Sequence, residues 1–298
     1  MKAKKRKSLP GLIIFMIILI LLTAALLFGV INARTVRVVY GTCAMTNLDE
    51  RLNGLKILYV SDLKIADDSD AQHALKLMER LSQLEPDLIL IGGDISGKSF
   101  VSGLRERLGI SNPGDTAQAT LAARDKFLTG MNELDVKYGI YAIKGDEDEQ
   151  LSPAERERYK THFLYNETAY VNIAGAFLPI YGGDTFNLNK DGAAAMIVMF
   201  HDPSLYSTAT LATSKRSGGP QSYLLLSAHA LGGQIHIGDY FAFYADINRD
   251  YTAKADQNGL FADGTRIKML LSRGIGTEGL PLRYGTAPTA YLITLKCA

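Results

Sequence analysis

Five side chains that bind cations well stand just beyond apolar runs. Asp62 closes LYVSD, Asp94 closes LIGGD, Asp146 follows AIKG, His201 follows VMF and His229 follows LLLSA. Carboxylates and imidazoles are ligands for a divalent metal, and in open α/β sheets the carboxyl ends of strands gather where ligands bind. Singly, each residue has an ordinary reading: an Asp after a strand commonly caps a turn, and a lone histidine commonly serves the core. Their succession in this order is what points to one site. Three neighbours stand out by type: Lys64, Glu147 and Leu231. Leucine offers nothing to a cation, and lysine offers a fixed positive charge.

The elements that must carry these residues follow from hydrophobic spacing. LKILYV (55–60), DLILIGG (87–93) and YGIYAIKG (138–145) read as strands. AQHALKLMERLSQL (71–84) and TLAARDKFLTGMNEL (120–134) have apolar positions at helical spacing. The second half reads AYVNIAG, FLPIYGG, AAMIVMF, SYLLLSA, IKMLLS and AYLITLK as strands, with SPAERERYKTHF (152–163) as its clearest helix, capped by Ser152. This alternation predicts an α/β domain with one large, partly mixed sheet or two stacked sheets. Residues 97–118 look like an insertion holding a short helix and a Gly/Asn/Pro loop.

Residues 11–31 are uncharged for 21 positions, which at 1.5 Å per residue matches the roughly 30 Å of a bilayer core. The run is longer than the apolar core of a secretory signal, and Ile31-Asn32-Ala33 is a poor cleavage site, so it reads as an uncleaved anchor. Lys2, Lys4, Lys5, Arg6 and Lys7 in the tail 1–10 place that tail in the cytoplasm and residues 34–298 outside, as a single-pass cell-membrane protein. With those five set aside, 27 Lys and Arg face 31 Asp and Glu, a net of about −4 that does not call for nucleic acid. Cys43 and Cys297, near the two ends of the domain, could pair if the terminal strands lie side by side, or remain free thiols.

Taken together, SDLK, GGDISG, KGDEDE, MFHDP and SAHALGGQ resemble the blocks of the calcineurin-like metallophosphoesterases, more closely their membrane-anchored bacterial branch. The family's blocks are D-x-H, G-D-x-x, G-N-H-[DE], a lone His after a strand, and G-H-x-H-G-G-Q. The resemblance runs from about Leu48 to Leu295 and includes the tail LSRGIGTEGLPLR. It implies two stacked mixed β-sheets flanked by helices in a four-layer sandwich. It also implies two metal ions about 3.5–4 Å apart that grip a phosphoryl group. Carried over, the first metal would use Asp62, residue 64, Asp94 and residue 231; the second would use Asp94, residue 146, His201 and His229. The histidine that protonates the leaving group would fall at residue 147.

Here residue 64 is lysine, 231 is leucine and 147 is glutamate, so one half-site loses both histidines while the other keeps its ligands, with Asp146 for asparagine. Lys64 is expected either to replace the missing ion between Asp62 and Asp94 or to be a solvated surface lysine. Glu147 could supply the missing acid if Asp146 and Asp148 raise its pKa; otherwise the three acids form a solvated cluster or a calcium or manganese contact. The expectation is a phosphoesterase-like protein binding at most one divalent metal (Mn, Zn, Fe, Mg or Ca) and a phosphorylated small molecule or lipid, with weak or absent hydrolysis. The alternatives are an active mono-metal phosphomonoesterase or phosphodiesterase acting on envelope lipid or cell-wall phosphoesters, and a structural envelope protein without metal. GGDISGKS (92–99) also fits a phosphate-loop pattern, but Asp94 would set a carboxylate inside its anion nest.

Overall fold

The computed structural model describes residues 9–188, 193–214, 222–237, 241–242, 260–263 and 267–298, so the basic residues at 2–7 lie outside the described residues. The chain begins with α1 (Leu9–Arg34), β1 (Arg37–Met45), β2 (Lys56–Val60), α2 (Asp68–Ser82), β3 (Leu88–Ile91), α3 (Phe100–Arg107), α4 (Pro113–Met131), β4 (Ile140–Ile143), α5 (Pro153–Arg156) and β5 (Thr161–Leu164). The second half carries β6 (Glu167–Ile173), β7 (Ala176–Gly182), β8 (Ala195–Met199), α6 (Tyr206–Ser214) and β9 (Ser222–Ser227). Then come the short β10 (His236–Ile237), β11 (Phe241–Ala242) and β12 (Leu260–Asp263), followed by β13 (Ile267–Leu271) and β14 (Thr289–Cys297).

One sheet runs β1-β14-β2-β3-β4-β5 and the other β12-β13-β9-β8-β7-β6. Both are mixed: β2 to β5 are parallel with β14 antiparallel to β2, and β7, β8, β9 and β13 are parallel with antiparallel partners at each end. Strand alternation explains the layers. Ile57, Tyr59, Leu88 and Leu90 point into a core shared with Ile197, Met199, Leu224 and Leu226 of the facing sheet. Leu58, Val60, Ile89 and Ile91 point the other way, onto Ala71 and Met78 of α2 and Phe127 and Leu128 of α4. On the far side, Met196, Val198, Tyr223 and Leu225 pack with Ala209 of α6. Strands buried on both faces lose their alternating signal and read as continuous apolar runs, which is why LKILYV and SYLLLSA are legible.

Two readings need correction. The helix expected over 152–163 stops at Arg156, after a capping box between Ser152 and Glu155. Thr161–Leu164 instead pairs with β4 and buries Thr161, Phe163 and Leu164. β-branched and aromatic residues at a sheet edge win there over the helix-forming run before them. Second, α4 starts at Pro113, inside the stretch read as a loop, with the proline in its first turn. As for the cysteines, β1 and β14 do lie side by side, but Cys43 faces Leu295 while Cys297 faces Met45, and both thiols are free.

The 25 residues Pro10–Arg34 form a helix long and apolar enough to cross a membrane. Its last turns are held by the domain. Asn32 donates to the carbonyls of Arg283 and Thr286 at 3.0 and 3.3 Å, Gly29 O accepts from Arg283 N at 3.1 Å, and Ala25 O accepts from the Tyr284 hydroxyl. A Cβ at Gly29 would lie 2.5 Å from the Tyr284 ring, so only glycine permits this approach.

Candidate metal centre

The loops leaving β2, β3 and β9 share one backbone habit. Asp62, Lys64, Asp94, His229 and Leu231 all lie in the left-handed region, with φ of 50°, 54°, 51°, 66° and 48°. Asp and His enter that basin several-fold more readily than most residues, whereas a bulky residue there is strained. Lys64 and Leu231 therefore keep a backbone better suited to histidine or aspartate. The strain is local, and it sits where the five strand-end residues meet.

Asp94 is the hub. Its Oδ2 lies 2.6 Å from Lys64 Nζ and 3.2 Å from His201 Nε2, and its Oδ1 accepts the Glu147 amide at 2.9 Å. The Lys64 and Asp94 side chains are only 5% and 1% exposed, which excludes the solvated-surface reading of Lys64. A Cβ at Gly145 would stand 2.2 Å from Asp94 Oδ1, so a glycine at 145 is what lets the β4 loop close on this carboxylate. Burial works against the Lys64 charge, but Asp94, Asp62 and Glu278 outweigh it and hold the ammonium above the ordinary lysine range. Burial likewise opposes ionisation of Asp94, and the His201 hydrogen bond and charge with Lys64 overcome it and hold the carboxyl well below the ordinary range.

The two histidines stand edge to face, ring centroids 5.3 Å apart. His201 Nδ1 lies 2.8 Å from Gly92 O; a carbonyl only accepts, so Nδ1 carries the hydrogen and Nε2 is turned toward Asp94. His229 Nδ1 lies 3.1 Å from Asp146 Oδ2, and the His229 amide donates to Asp62 Oδ1 at 3.1 Å. Asp62 is fully buried, and Ser61 can donate to its Oδ2 at 2.6 Å or to Ser272 at 2.7 Å. Burial lifts the Asp62 carboxyl above the ordinary aspartate range, against the opposing pull of the His201 charge.

The residues predicted from sequence thus divide by position. Donor atoms of Asp94, His201 and His229 all lie within 4.8 Å of one another. Asp146 touches the group through His229 and is 65% exposed. Asp62 sits on the other side of Asp94's loop, with Leu231 buried beside Gly274 next to it. Of the acidic cluster, Glu147 turns toward Lys98 at 3.6 Å, and Asp148 turns inward to accept the amides of Ile95, Ser96 and Gly145 at 3.2, 2.8 and 3.0 Å. The three acids therefore do not form one solvated cluster. Lys98 is 83% exposed and aimed at Glu147, unlike a phosphate-loop lysine folded over its nest.

Asp94 Oδ2 faces both Lys64 and His201 Nε2, and His229 Nδ1 faces Asp146, so the buried donor atoms of the triad are shared with charged neighbours that a cation would have to join or displace. Two imidazole nitrogens and a carboxylate oxygen, one imidazole fixed from behind by a carbonyl, fit a borderline divalent metal. On the side of Lys64 and Leu231, an ammonium lies 2.6 Å from Asp94 Oδ2 and a buried leucine offers no donor atom.

Several residues of the quoted blocks serve to join loops rather than to hold a ligand. Arg283, fully buried, donates to the carbonyls of Leu231, Arg273 and Gly276 at 2.5–3.1 Å and so pins the His229 loop to the loop after β13. Gln234, last of the Gly-Gly-Gln turn, donates to Glu278 O and Leu280 O and accepts the Glu278 amide.

No protein-family model matches the chain. Two curated relatives are similar to it. "Transmembrane protein with metallophosphoesterase domain" from Danio rerio is 25% identical over 295 residues, covering 95% of this chain and 63% of that protein. "Uncharacterized metallophosphoesterase YkuE" from Bacillus subtilis (strain 168) is 26% identical over 262 residues, covering 82% of this chain and 80% of its own. The chain thus spans under two thirds of the Danio rerio protein's length. Both support a metallophosphoesterase family.

Proposed function

We propose, from the premise that this chain is a relative of the metallophosphoesterases, that it is a membrane-anchored binder of a phosphorylated ligand. In this reading Asp94, His201 and His229, with Asp146 behind His229, hold one divalent cation, and hydrolysis is weak or absent. The anchor crosses the cell membrane with the basic tail in the cytoplasm and residues 34–298 outside. The observation that carries the reading is the Lys64 ammonium lying 2.6 Å from Asp94 Oδ2, on the side where a second cation would sit.

When bound, a single divalent cation supplies Lewis acidity toward a phosphoryl oxygen. The chain's own residues do the rest. Lys64 holds Asp94 ionised and presents a positive charge to a phosphate, but its ammonium has no lone pair with which to take a proton from water. Glu147 and Glu278 are the acids lining the cleft; the Glu147 carboxylate faces Lys98, and that of Glu278 lies 3.4 Å from Lys64. A two-metal site stabilises both the attacking and the leaving oxygen, and here one of those positions is served by an ammonium.

The intact triad favours a second reading, a working mono-metal phosphoesterase. Metal analysis of the purified chain, with assays on p-nitrophenyl phosphate and bis-p-nitrophenyl phosphate in added Mn²⁺, separates the possibilities. About one metal per chain with turnover far below the ordinary enzyme range of roughly 1–10³ s⁻¹ supports the proposal. Turnover within that range that His229→Ala abolishes transfers it to the second reading. Failure to take up metal under any condition leaves a structural envelope protein.

A further inference from the structure

None of the eight residues of α3 is buried. Phe100, Val101 and Leu104, with Leu108 and Ile110 just beyond, are between 44% and 64% exposed. At 3.6 residues per turn, Phe100, Val101, Leu104 and Leu108 fall within an arc of about 100°, with Arg105 and Arg107 on its two flanks. An apolar stripe edged by long cationic side chains is the pattern of a helix lying in a membrane interface, where the arginine stems reach to head groups. Among the described residues, neither arginine has an acidic side chain within ion-pair reach.

The position of the bilayer follows from the anchor. Tyr284 and Arg283 are hydrogen-bonded to Ala25 and Gly29, so the loop 280–286 lies against the last two turns of the apolar run, at its outer end. That loop also borders the clefts beside Lys64. A cleft of about 390 Å³ is lined by Lys64, Phe100, Leu104, Arg107, Glu147 and Leu280. It adjoins one of about 410 Å³ lined by Ala33 and Arg34 of α1 together with Lys64, Phe100, Val101 and Pro281. One continuous wall therefore joins the end of the anchor, the exposed face of α3 and the lysine beside Asp94.

We infer that α3 docks its apolar face into the same bilayer that α1 crosses, opening the Lys64 cleft onto the head-group layer. The ligand's phosphate then belongs to an anionic phospholipid, drawn from the membrane between α1 and α3. The lipid assignment rests on the function proposed above; the docking of α3 does not.

The chain contains no tryptophan, so Phe100→Trp or Leu104→Trp in the full chain provides a single reporter. In vesicles of brominated phosphatidylcholine with one third phosphatidylglycerol, both should be quenched at least about twofold more than Phe177→Trp, an exposed position at the start of β7, as expected for residues at the acyl boundary. Adding Arg105→Glu and Arg107→Glu should cut that quenching by about threefold or more through lost attraction to anionic lipid. Quenching no greater than at Phe177→Trp overturns the docking, whatever metal or activity the protein shows. Native mass spectrometry of the parent chain in detergent tests the ligand: retained phosphatidylglycerol that Arg107→Glu releases supports it. Loss of that lipid to millimolar inorganic phosphate, or no lipid at all, overturns the lipid assignment and leaves the metal site to be judged separately.

Discussion

Lys64 Nζ lies 2.6 Å from Asp94 Oδ2, in a pair almost wholly shielded from water. Removing one partner of such a pair costs about 3 kcal/mol, because the other charge is left with less compensation. Asp94 retains His201 and the Glu147 amide, so the cost should not exceed that. Lys64→Met should therefore melt some 6–12 °C lower in detergent, taking roughly 2–4 °C per kcal/mol for a domain of this size. Mn²⁺ should then raise its melting temperature more than it raises the parent's, since the freed carboxylate oxygen is open to a cation. Equal protection of both proteins would mean that Lys64 does not obstruct the metal.

Stability without metal should depend on pH through His201. Burial disfavours its charge, but the hydrogen bond and charge of Asp94, with Asp62, push its pKa up from 6.5 to about 10. A raised folded-state pKa means the contribution is full below about pH 6.5 and declines as pH rises, vanishing beyond about 10. Melting temperature in EDTA should fall across that window, and His201→Asn should flatten this part of the curve. Metal uptake has the opposite slope, because a ligand nitrogen must lose its proton first.

Under the proposed reading, the half-site bearing Lys64 and Leu231 should be repairable. Lys64→His and Leu231→His place imidazoles on left-handed backbone that suits histidine, and Glu147→His adds a third on the β4 loop. The triple variant should bind a second metal equivalent by elemental analysis and hydrolyse p-nitrophenyl phosphate about 100-fold faster or more, the scale of restoring one electrophilic contact. An unchanged metal count would show that these positions do not converge on a second site.

Asp148 accepts three amides from two loops, and its alanine variant would orphan them at about 1–3 kcal/mol each. Asp148→Ala should lower stability by about 3 kcal/mol in total after local relaxation, and Asp148→Asn, which keeps one acceptor oxygen, by less. Hydrogen exchange at Ile95 and Ser96 should quicken in both. Unchanged exchange there would remove Asp148 from its place as the brace between the β3 and β4 loops.

How much of this could be read from the chain depends on the kind of interaction. The strands of both sheet centres were legible because burial on two faces leaves uninterrupted apolar runs, and the meeting of Asp94, His201 and His229 was legible because each follows such a run. The bracing roles of Asp148 and Arg283 were not, although both residues fall inside the quoted blocks, since each serves backbone amides or carbonyls, groups that every residue carries. β5 was hidden for another reason: Thr161–Leu164 becomes a strand only by pairing with β4, and the local pattern before it favours a helix.

Because the domain grips α1 through Gly29, Asn32 and Tyr284, the proposed anchoring would plant it on the bilayer rather than leash it there. A leash would let it search a hemisphere of solution; a planted domain can only spin about the axis of its own stem. A lipid ligand would then reach it by sliding sideways within a leaflet, at rates that scale with surface density and lipid fluidity.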